Sequence, residues 1–248
     1  MSQDKLIELE HVYAGYDNRM VLKDVNLSIY RSDFIGVIGP NGGGKTTLLK
    51  LILGLLKPTK GKIRRYTSAS KHIGYLPQYS DIDRQFPITV KNVVLSGSIS
   101  GRNLFFKHSR AQKQKARELL KQMGIDHLQN KTVGELSGGQ LQRTFLCRAL
   151  ISDPELLILD EPNTFVDNAF ESELYEKLRE LNKSMGIMMV SHDVGTISPY
   201  VKTIACVNEQ LHYHRSNIIT EKQLATYNCP IQILAHGDVP HTVLKKHH

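Results

Sequence analysis

The sequence predicts an α/β fold with a largely parallel sheet, and three short apolar runs carry this prediction. The runs are FIGVIG at residues 34–39, LLILD at residues 156–160 and GIMMVS at residues 186–191. Each is too short for a helix and apolar almost throughout, which is typical of strands buried on both faces. Segments with helical periodicity follow the first run and separate the other two. We therefore expect strands and helices to alternate around a parallel sheet.

The helix predicted after the first run has one apolar face. Apolar residues recur there at helical spacing: Leu48, Leu49, Ile52, Leu53 and Leu56. Lys57 precedes Pro58, and because a residue before proline avoids the α region, we expect the helix to end at this pair. Another helix is predicted near residues 168–184, between the second and third strands.

Further regions are predicted around this central sheet. Residues 1–30 and 61–76 are predicted to form shorter strands in an antiparallel β patch. Residues 84–152 are predicted to be mostly helical, as an α-helical subdomain inserted into the sheet domain. The tail is predicted to contain two strands, TIACVN and LHYH, and then a polar end. We predict a single domain over residues 1–248, with a core at about 1–83 and 153–215, the helical subdomain at 84–152 and a C-terminal extension at 216–248.

The composition limits what the chain can be. With 40% hydrophobic and 23% charged residues over 248 positions, it can bury a core without disulfides. Cys147, Cys206 and Cys229 form no CxxC pair, which argues against a disulfide framework or a zinc site and suits a reducing cytoplasm. No run approaches the roughly 20 apolar residues of a membrane span, and the amino terminus lacks the apolar run of a secretory signal. Any membrane role is therefore expected to depend on a partner.

The chain is basic, with a formal net charge of +8. Such a balance permits contact with nucleic acids or anionic lipids. The basic residues are spread along the chain, however, and we interpret them as solvated surface. No nucleic acid is expected as a partner.

The strongest motif is GPNGGGKT at residues 39–46, which fits the pattern G-x-x-x-x-G-K-[ST] between a predicted strand and a predicted helix. Glycines let the backbone wrap around phosphates with its N–H groups turned inward, at the positive end of the helix dipole. Lys45 is expected to reach the β- and γ-phosphates, and the Thr46 hydroxyl to ligate Mg²⁺. The residues predicted to bind nucleotide here are Gly39, Pro40, Asn41, Gly42, Gly43, Gly44, Lys45, Thr46 and Thr47.

The motif LLILDE places acids at the end of a buried strand. Ligands of open α/β sheets bind at the carboxyl ends of the strands, beside the phosphate loop. Asp160 is expected to hold Mg²⁺, directly or through water, and Glu161 to orient or deprotonate an attacking water. A lone Asp-Glu pair is usually a surface turn, but the strand before it and the loop at Lys45 favour the catalytic interpretation. Together the two motifs predict a P-loop NTPase core of the RecA-like type, with ATP and Mg²⁺ as cofactors.

The motif LSGGQ at residues 136–140 resembles the signature of ABC ATPases. Other residues agree with this family in type and in order along the chain: Tyr16 before the phosphate loop, Gln78 in YLPQ, Asp167 after the catalytic acid and His192 in SHD. The resemblance covers about residues 5–215. The chain is thus similar to the ATP-binding subunits of ABC transporters.

The resemblance implies a role for each of these side chains. Tyr16 would stack on adenine, although from the residues alone it could simply pack in a turn. Gln78 would contact Mg²⁺ or water and sense a membrane partner. His192 would contact the γ-phosphate and the attacking water, although a single histidine at a strand end is more often structural. The resulting catalytic set is Glu161, His192 and Gln78, and the metal set is Thr46, Gln78 and Asp160.

The signature residues Ser137, Gly138, Gly139 and Gln140 are predicted to begin a helix. A glycine-rich helix start is an anion site, yet one phosphate loop already encloses the nucleotide in this chain. The resemblance implies an ATP-dependent homodimer in which two subunits pair head to tail and these residues contact the γ-phosphate bound by the partner. From the residues alone, an ordinary N-cap at Ser137 is the simpler interpretation.

In one loop the chain departs from the family. Where the family usually has Thr and then Ser-Gly or Ala-Gly before a final aspartate, this chain has NTFVD at residues 163–167. Phe165 in place of a small glycine is expected to stiffen the loop and to alter contacts across the dimer. Because Asp160, Glu161 and Asp167 remain, hydrolysis is still expected.

The segments DRQFPITV at residues 83–90 and AHGDVPH at residues 235–241 look like those of ATPase subunits of zinc and manganese uptake systems. The first follows Gln78, where such subunits touch their membrane partner. The expected function is therefore that of an ATP-hydrolysing subunit energising an ABC importer for a divalent metal ion such as zinc or manganese, at the cytoplasmic face of the cell membrane. The expected partners are transmembrane permease subunits and, indirectly, an extracytoplasmic substrate-binding protein.

Two alternatives remain open at this point. A soluble ABC ATPase of iron–sulfur cluster assembly would have a similar length and no permease, but the FPITV segment at residues 86–90 favours a transporter. A nucleotide-dependent scaffold protein would lack the catalytic acid or show a clustered basic groove, whereas Glu161 is present.

The histidines invite a metal-ligand interpretation, especially His212, His214, His236 and His241. His212 and His214 alternate on a predicted strand and so share a face. A metal site needs three or four converging ligands and groups that orient them, and spacing alone shows neither. We interpret these histidines as ordinary exposed or hydrogen-bonded residues.

Overall fold

The structure is a computed structural model. It describes residues 4–17, 19–66, 73–78, 82–98, 108–162, 168–192, 194–214, 216–217, 231–236 and 239–244. The expectations for Phe165, Asp167 and the rest of residues 163–167 lie outside the described residues, as does Asp193.

The described residues form strands and helices that alternate over much of the chain. The strands are β1 (Lys5–Tyr16), β2 (Arg19–Tyr30), β3 (Phe34–Ile38), β4 (Lys60–Arg65), β5 (Ile73–Leu76), β6 (Leu156–Asp160), β7 (Gly186–Val190), β8 (Thr203–Asn208), β9 (Gln210–His214), β10 (Ile231–His236) and β11 (Val239–Leu244). The helices are α1 (Lys45–Leu53), α2 (Val90–Ser96), α3 (Arg110–Gln122), α4 (Gly138–Leu150), α5 (Asn168–Leu181) and α6 (Val194–Ile197).

The central sheet has the order β5-β6-β7-β3-β8-β9. All its neighbouring pairs are parallel except β8 and β9, which are antiparallel. Strands β3, β6 and β7 are buried along their whole length, as their continuous apolar runs predict. The predicted parallel α/β core is confirmed, and the carboxyl ends of these three strands meet at one edge of the sheet.

Two apolar layers cover the faces of this sheet. Because side chains alternate along a strand, Leu157 and Leu159 pack into one cluster with α4 and α5, whereas Ile158 packs into another with α1 and β1. The second cluster joins the sheet to the antiparallel patch. The central strands are therefore held rigidly on both sides, which fixes the positions of the loops at their carboxyl ends.

The antiparallel patch has the order β2-β1-β4. Its existence was predicted, but the expectation of short strands is wrong for β1 and β2, which each span 12 residues. The placement of residues 61–76 was also only partly right. β4 joins the patch, whereas β5 pairs in parallel with β6 in the central sheet. A short apolar run can pair in either sheet, and only the fold around it decides which.

Helix α1 ends earlier than its apolar spacing predicts. It stops at Leu53, and Gly54 follows in the left-handed conformation with φ +77°. The Gly54 cap directs backbone N–H groups back to the carbonyls of the last turn, so the helix ends before Pro58 can act. Leu56 still packs against the core, but as part of the following turn.

The described residues between 84 and 152 hold α2, α3, α4 and two short 3-10 turns. These helices pack on one another and on the central sheet through a common apolar cluster. The exact boundaries of the helical subdomain stay a prediction. No helix within the described ranges is both long and apolar enough to cross a membrane.

The segment predicted as a C-terminal extension contains a strand pair where the sequence predicted only a polar end. β10 and β11 pair antiparallel, and β11 packs beside α6. The missed signal is the Gly237-Asp238 pair between two runs rich in apolar residues, a dipeptide common in tight hairpin loops. This strand pair therefore lies beside α6, the helix that begins two residues after His192.

Candidate nucleotide-binding site

The loop between β3 and α1 is held together by Lys45. This side chain is only 7% exposed, and its Nζ donates to the carbonyl oxygens of Gly39 at 2.8 Å and Pro40 at 2.9 Å. Helix α1 begins here with Gly44 as its N-cap, a residue with no side chain that could cap the first N–H groups of the helix. A loop of this shape at a helix N-terminus is suited to binding phosphate.

Strand β8 packs directly against the loop and leaves no room for a side chain at Gly39 or Gly43. A Cβ at Gly39 would lie 2.0 Å from the Val207 carbonyl oxygen, and one at Gly43 would lie 2.8 Å from the same atom. The N–H of Glu209, in the turn between β8 and β9, donates to the Gly43 carbonyl at 3.0 Å. The loop is therefore packed against β8 and the β8–β9 turn, which come more than 150 positions later in the chain than the loop.

We expect Gly39→Ala to destabilise the protein by at least about 2 kcal/mol, because the new methyl group meets backbone at a left-handed φ of +151°. Gly42→Ala is the matched control. Its φ of +76° is also left-handed, but nothing lies within 4 Å of the new Cβ, so only about 1–2 kcal/mol of backbone strain is expected. Urea unfolding of both variants measures the difference. Equal losses of unfolding free energy in the two variants would show that the contact with Val207 adds nothing to the backbone strain.

The acids at the end of β6 differ in their surroundings. Asp160 is 6% exposed, and the Tyr75 hydroxyl donates to its Oδ2 at 3.3 Å. Glu161 adopts a left-handed φ of +50°, and its N–H donates to the Val190 carbonyl of β7 at 3.1 Å. The chain thus bends sharply directly after Asp160.

Gln78, Glu161 and His192 come together although they lie on three different segments. The Gln78 amide donates from Nε2 to Glu161 Oε2 at 2.7 Å, and His192 Nε2 pairs with Glu161 Oε1. The hydrogen bond from His192, the charges of His192 and Lys45, and the Gln78 amide hold the pKa of Glu161 below its usual range, although burial opposes them. Glu161 is therefore a carboxylate at neutral pH. The buried Nδ1 of His192 has no hydrogen-bond partner within the described ranges.

A cleft of about 600 Å³ joins these groups to the loop. The predicted site residues that line it are Tyr16, Asn41, Gly42, Gly44, Lys45, Thr46, Thr47, Gln78, Glu161 and His192. Gly39, Pro40, Gly43 and Asp160 do not line the cleft, although Gly39 and Pro40 accept the hydrogen bonds of Lys45. The Tyr16 side of the cleft is open, with this residue 41% exposed and Lys50 Nζ 5.6 Å from its ring centroid.

Sequence reasoning missed several residues of the cleft wall: Arg19, Met20, Val21 and Glu209. Glu209 is the clearest omission. It has a left-handed φ of +57°, and its carboxylate accepts a hydrogen bond from Lys23 Nζ at 2.7 Å. Nothing in the local sequence marks this residue, because its place depends on how β9 turns back beside the loop.

The signature residues lie elsewhere. Ser137 caps α4: its hydroxyl accepts from the Gln140 N–H at 3.3 Å, while the Gln140 side chain accepts from the Ser137 N–H at 3.1 Å. The N-cap interpretation is therefore correct for the local geometry. Of the described residues that line the cleft, none belongs to 137–140, and Ser137 is exposed. This helix start is thus separate from the cleft of its own chain.

The histidines outside the cleft do not form a metal centre in the part of the chain that is described. No group of three His, Cys, Asp or Glu residues there could hold a metal ion. His212 and His214 lie on β9, where burial, with a smaller effect of His214, lowers the pKa of His212. His236 and His241 belong to β10 and β11.

Comparison with known proteins identifies the family. The family model described as ABC transporter matches residues 22–164. The zinc uptake system ATP-binding protein ZurA of Listeria innocua is 38% identical over 86% of each chain, and the zinc import ATP-binding protein ZnuC of Haemophilus influenzae is 36% identical over 85% of this chain and 74% of its own. A solved structure of a metal-chelate type ABC transporter in an inward-facing conformation superposes with a TM-score of 0.84, at 27% identity over 98% of both chains. Because the family model matches more than half of the chain and these relatives align along most of it, the protein belongs to the ABC transporter family.

Proposed function

We propose that this chain binds and hydrolyses ATP to energise an importer of a divalent metal ion such as zinc or manganese. The observation that carries the proposal is the single cleft in which the phosphate loop, Lys45 and the Gln78–Glu161–His192 cluster meet. The names of ZurA and ZnuC support zinc as the transported ion. The ion itself is expected to pass through another subunit.

The residues of the cleft support ATP as the substrate. The loop and the start of α1 offer N–H donors to phosphates, and Lys45 places an ammonium group among them. Tyr16 offers an exposed ring on which adenine would stack. The triphosphate would therefore lie along the loop with its γ-phosphate towards Glu161.

The residues also fit Mg²⁺. This ion prefers oxygen ligands, and the Thr46 hydroxyl in the cleft and the buried Asp160 carboxylate would supply them, with Gln78 nearby. When bound, Mg²⁺ neutralises part of the charge on the phosphates that are transferred. Glu161, one residue after Asp160, would face the same phosphates.

Glu161 would hold and deprotonate the attacking water, as its ionised state supports. In the described arrangement both of its oxygens are engaged, by Gln78 and by His192. Because a carboxylate has about four acceptor positions, the attacking water would bind beside these contacts or displace one of them. If the contact with His192 opens, the imidazole would be able to contact the γ-phosphate.

The signature helix supports action across a dimer. Ser137 to Gln140 form a capped, accessible helix start that does not line their own cleft. In a head-to-tail homodimer they would face the γ-phosphate of the partner, so that two ATP molecules are enclosed between two chains. ATP drives such closure only if it binds the closed dimer more tightly than the open one.

A membrane permease is the proposed partner, which would place the chain at the cytoplasmic face of the cell membrane. The segment that follows Gln78 supports docking there, because Phe86 is 58% exposed. A substrate-binding protein on the other side of the membrane would act only through the permease.

The test is affinity purification of the tagged full-length chain from its native membranes in mild detergent, with identification of partners and bound metals. Recovery of a multi-spanning membrane protein and a metal-binding receptor is expected. Phe86→Ser should lower this recovery, whereas Leu55→Ser, which changes a side chain 72% exposed just beyond α1, should not. Recovery of only soluble assembly factors would leave the ATPase proposal intact and overturn transport.

A further inference from the structure

Two segments of the helical region run side by side and are tied together along their backbones. One, residues 82–91, follows Gln78, and the other, residues 129–136, leads to Ser137. The hydrogen bonds run from Lys91 N–H to the Gln129 carbonyl (3.0 Å), from Val90 N–H to the Lys131 carbonyl (2.9 Å) and from Val133 N–H to the Ile88 carbonyl (3.1 Å). A β-bridge between Thr89 and Thr132 lies among them. A displacement of the first segment is therefore transmitted to the second.

Arg84 extends this connection to the peptide that precedes α4. Its guanidinium donates to the carbonyl oxygen of Leu136 and, at 3.3 Å, to that of Gly134. The N–H of the Leu136–Ser137 peptide donates to the Gln140 side chain at 3.1 Å. The same peptide is thus held on its carbonyl side by Arg84 and on its N–H side by α4.

The two segments pack tightly against each other at Arg84 and Gly134. A Cβ at Gly134 would lie 2.8 Å from the Arg84 carbonyl oxygen, so a side chain there would push the two segments apart. Leu136 and Val133 are buried and anchor the second segment in the core. Arg84 therefore holds a well-packed turn rather than forming a mobile surface pair.

We propose that Arg84 is a positioning residue for the nucleotide site of the partner subunit. By holding the Leu136 carbonyl, it fixes the orientation of the Ser137–Gln140 helix start relative to the segment that bears Phe86. This inference rests on the proposed function, in which that helix start faces the partner's γ-phosphate. Arg84 does not line the cleft of its own chain, so it acts on closure of the dimer and not on ATP binding by one chain.

The test compares Arg84→Ala with Arg117→Ala, a matched control that removes an exposed arginine from α3 of the same region. Both are made in the full-length Glu161→Gln chain, where ATP-bound dimers should accumulate. Sedimentation with Mg²⁺ and ATP measures the dimer dissociation constant, and a fluorescent ATP analogue at low protein concentration measures binding to the monomer. Arg84→Ala should weaken the dimer on the order of tenfold, as expected for loss of hydrogen bonds from a charged donor. Monomer binding should stay within twofold.

Two further variants separate positioning from folding. Arg84→Lys keeps a donor and should recover part of the loss, whereas Gly134→Ala keeps every charge and should weaken the dimer as Arg84→Ala does. An unchanged dimer in Arg84→Ala, or an equal loss of monomer binding, would overturn the role of Arg84 while the proposed function stands. Failure of the parent Glu161→Gln chain to dimerise with ATP would instead contradict the proposed function itself.

Discussion

Glu161→Gln is expected to lower the ATPase rate by about 10²- to 10⁴-fold, the usual contribution of a positioned general base. The amide keeps the shape of the side chain but carries no charge and accepts no proton from water. Binding of ATP is expected to survive, because the phosphate loop and Lys45 are unchanged. ATP should therefore remain bound, and the dimer should accumulate.

Phosphate release at saturating ATP, together with size-exclusion chromatography with and without ATP, measures both effects. Glu180→Gln is a matched control, since it removes an exposed carboxylate from α5, paired only weakly with Lys177 at 3.2 Å. That control should hydrolyse ATP like the unmodified chain. A Glu161→Gln chain with normal turnover would remove Glu161 from its catalytic role.

Lys45→Ala is expected to weaken ATP binding by about 10²- to 10⁴-fold. Each hydrogen bond from a charged group contributes about 1.5–3 kcal/mol, and two such bonds to phosphate oxygens give this range at 1.4 kcal/mol per tenfold. The substitution also leaves the Gly39 and Pro40 carbonyls without the Lys45 donor, so the empty loop loses its shape. Both effects act in the same direction.

Isothermal titration with Mg²⁺ and ATP measures the affinity, and thermal unfolding verifies that the variant is folded. Lys57→Ala removes an exposed lysine just beyond α1 and should leave the affinity unchanged. If Lys45→Ala bound ATP within threefold of the unmodified chain, the loop would not be the phosphate site.

Local patterns were enough to predict the strands and the loop that form the candidate site. The apolar runs before Gly39 and Asp160 predicted buried strands, and the glycine motif between a strand and a helix predicted the loop that Lys45 closes. These predictions succeed because each depends on residues within a few positions of one another. The helix end at Gly54 shows the limit, since two stop signals lay close together and the sequence pattern favoured the later one.

The sequence by itself thus determined the buried strands, the glycine-rich loop between a strand and a helix, the acidic pair at a strand end and the separate glycine-rich helix start, and from these it predicted a nucleotide site. Only the tertiary structure decided how distant residues meet. The strand order brings Gln78 and His192 into contact with Glu161. The β8–β9 turn donates a hydrogen bond to the glycine-rich loop, and Arg84 reaches the Leu136 carbonyl. The reason is physical, because periodicity records which face of an element is buried, whereas hydrogen bonds between remote segments depend on which elements become neighbours.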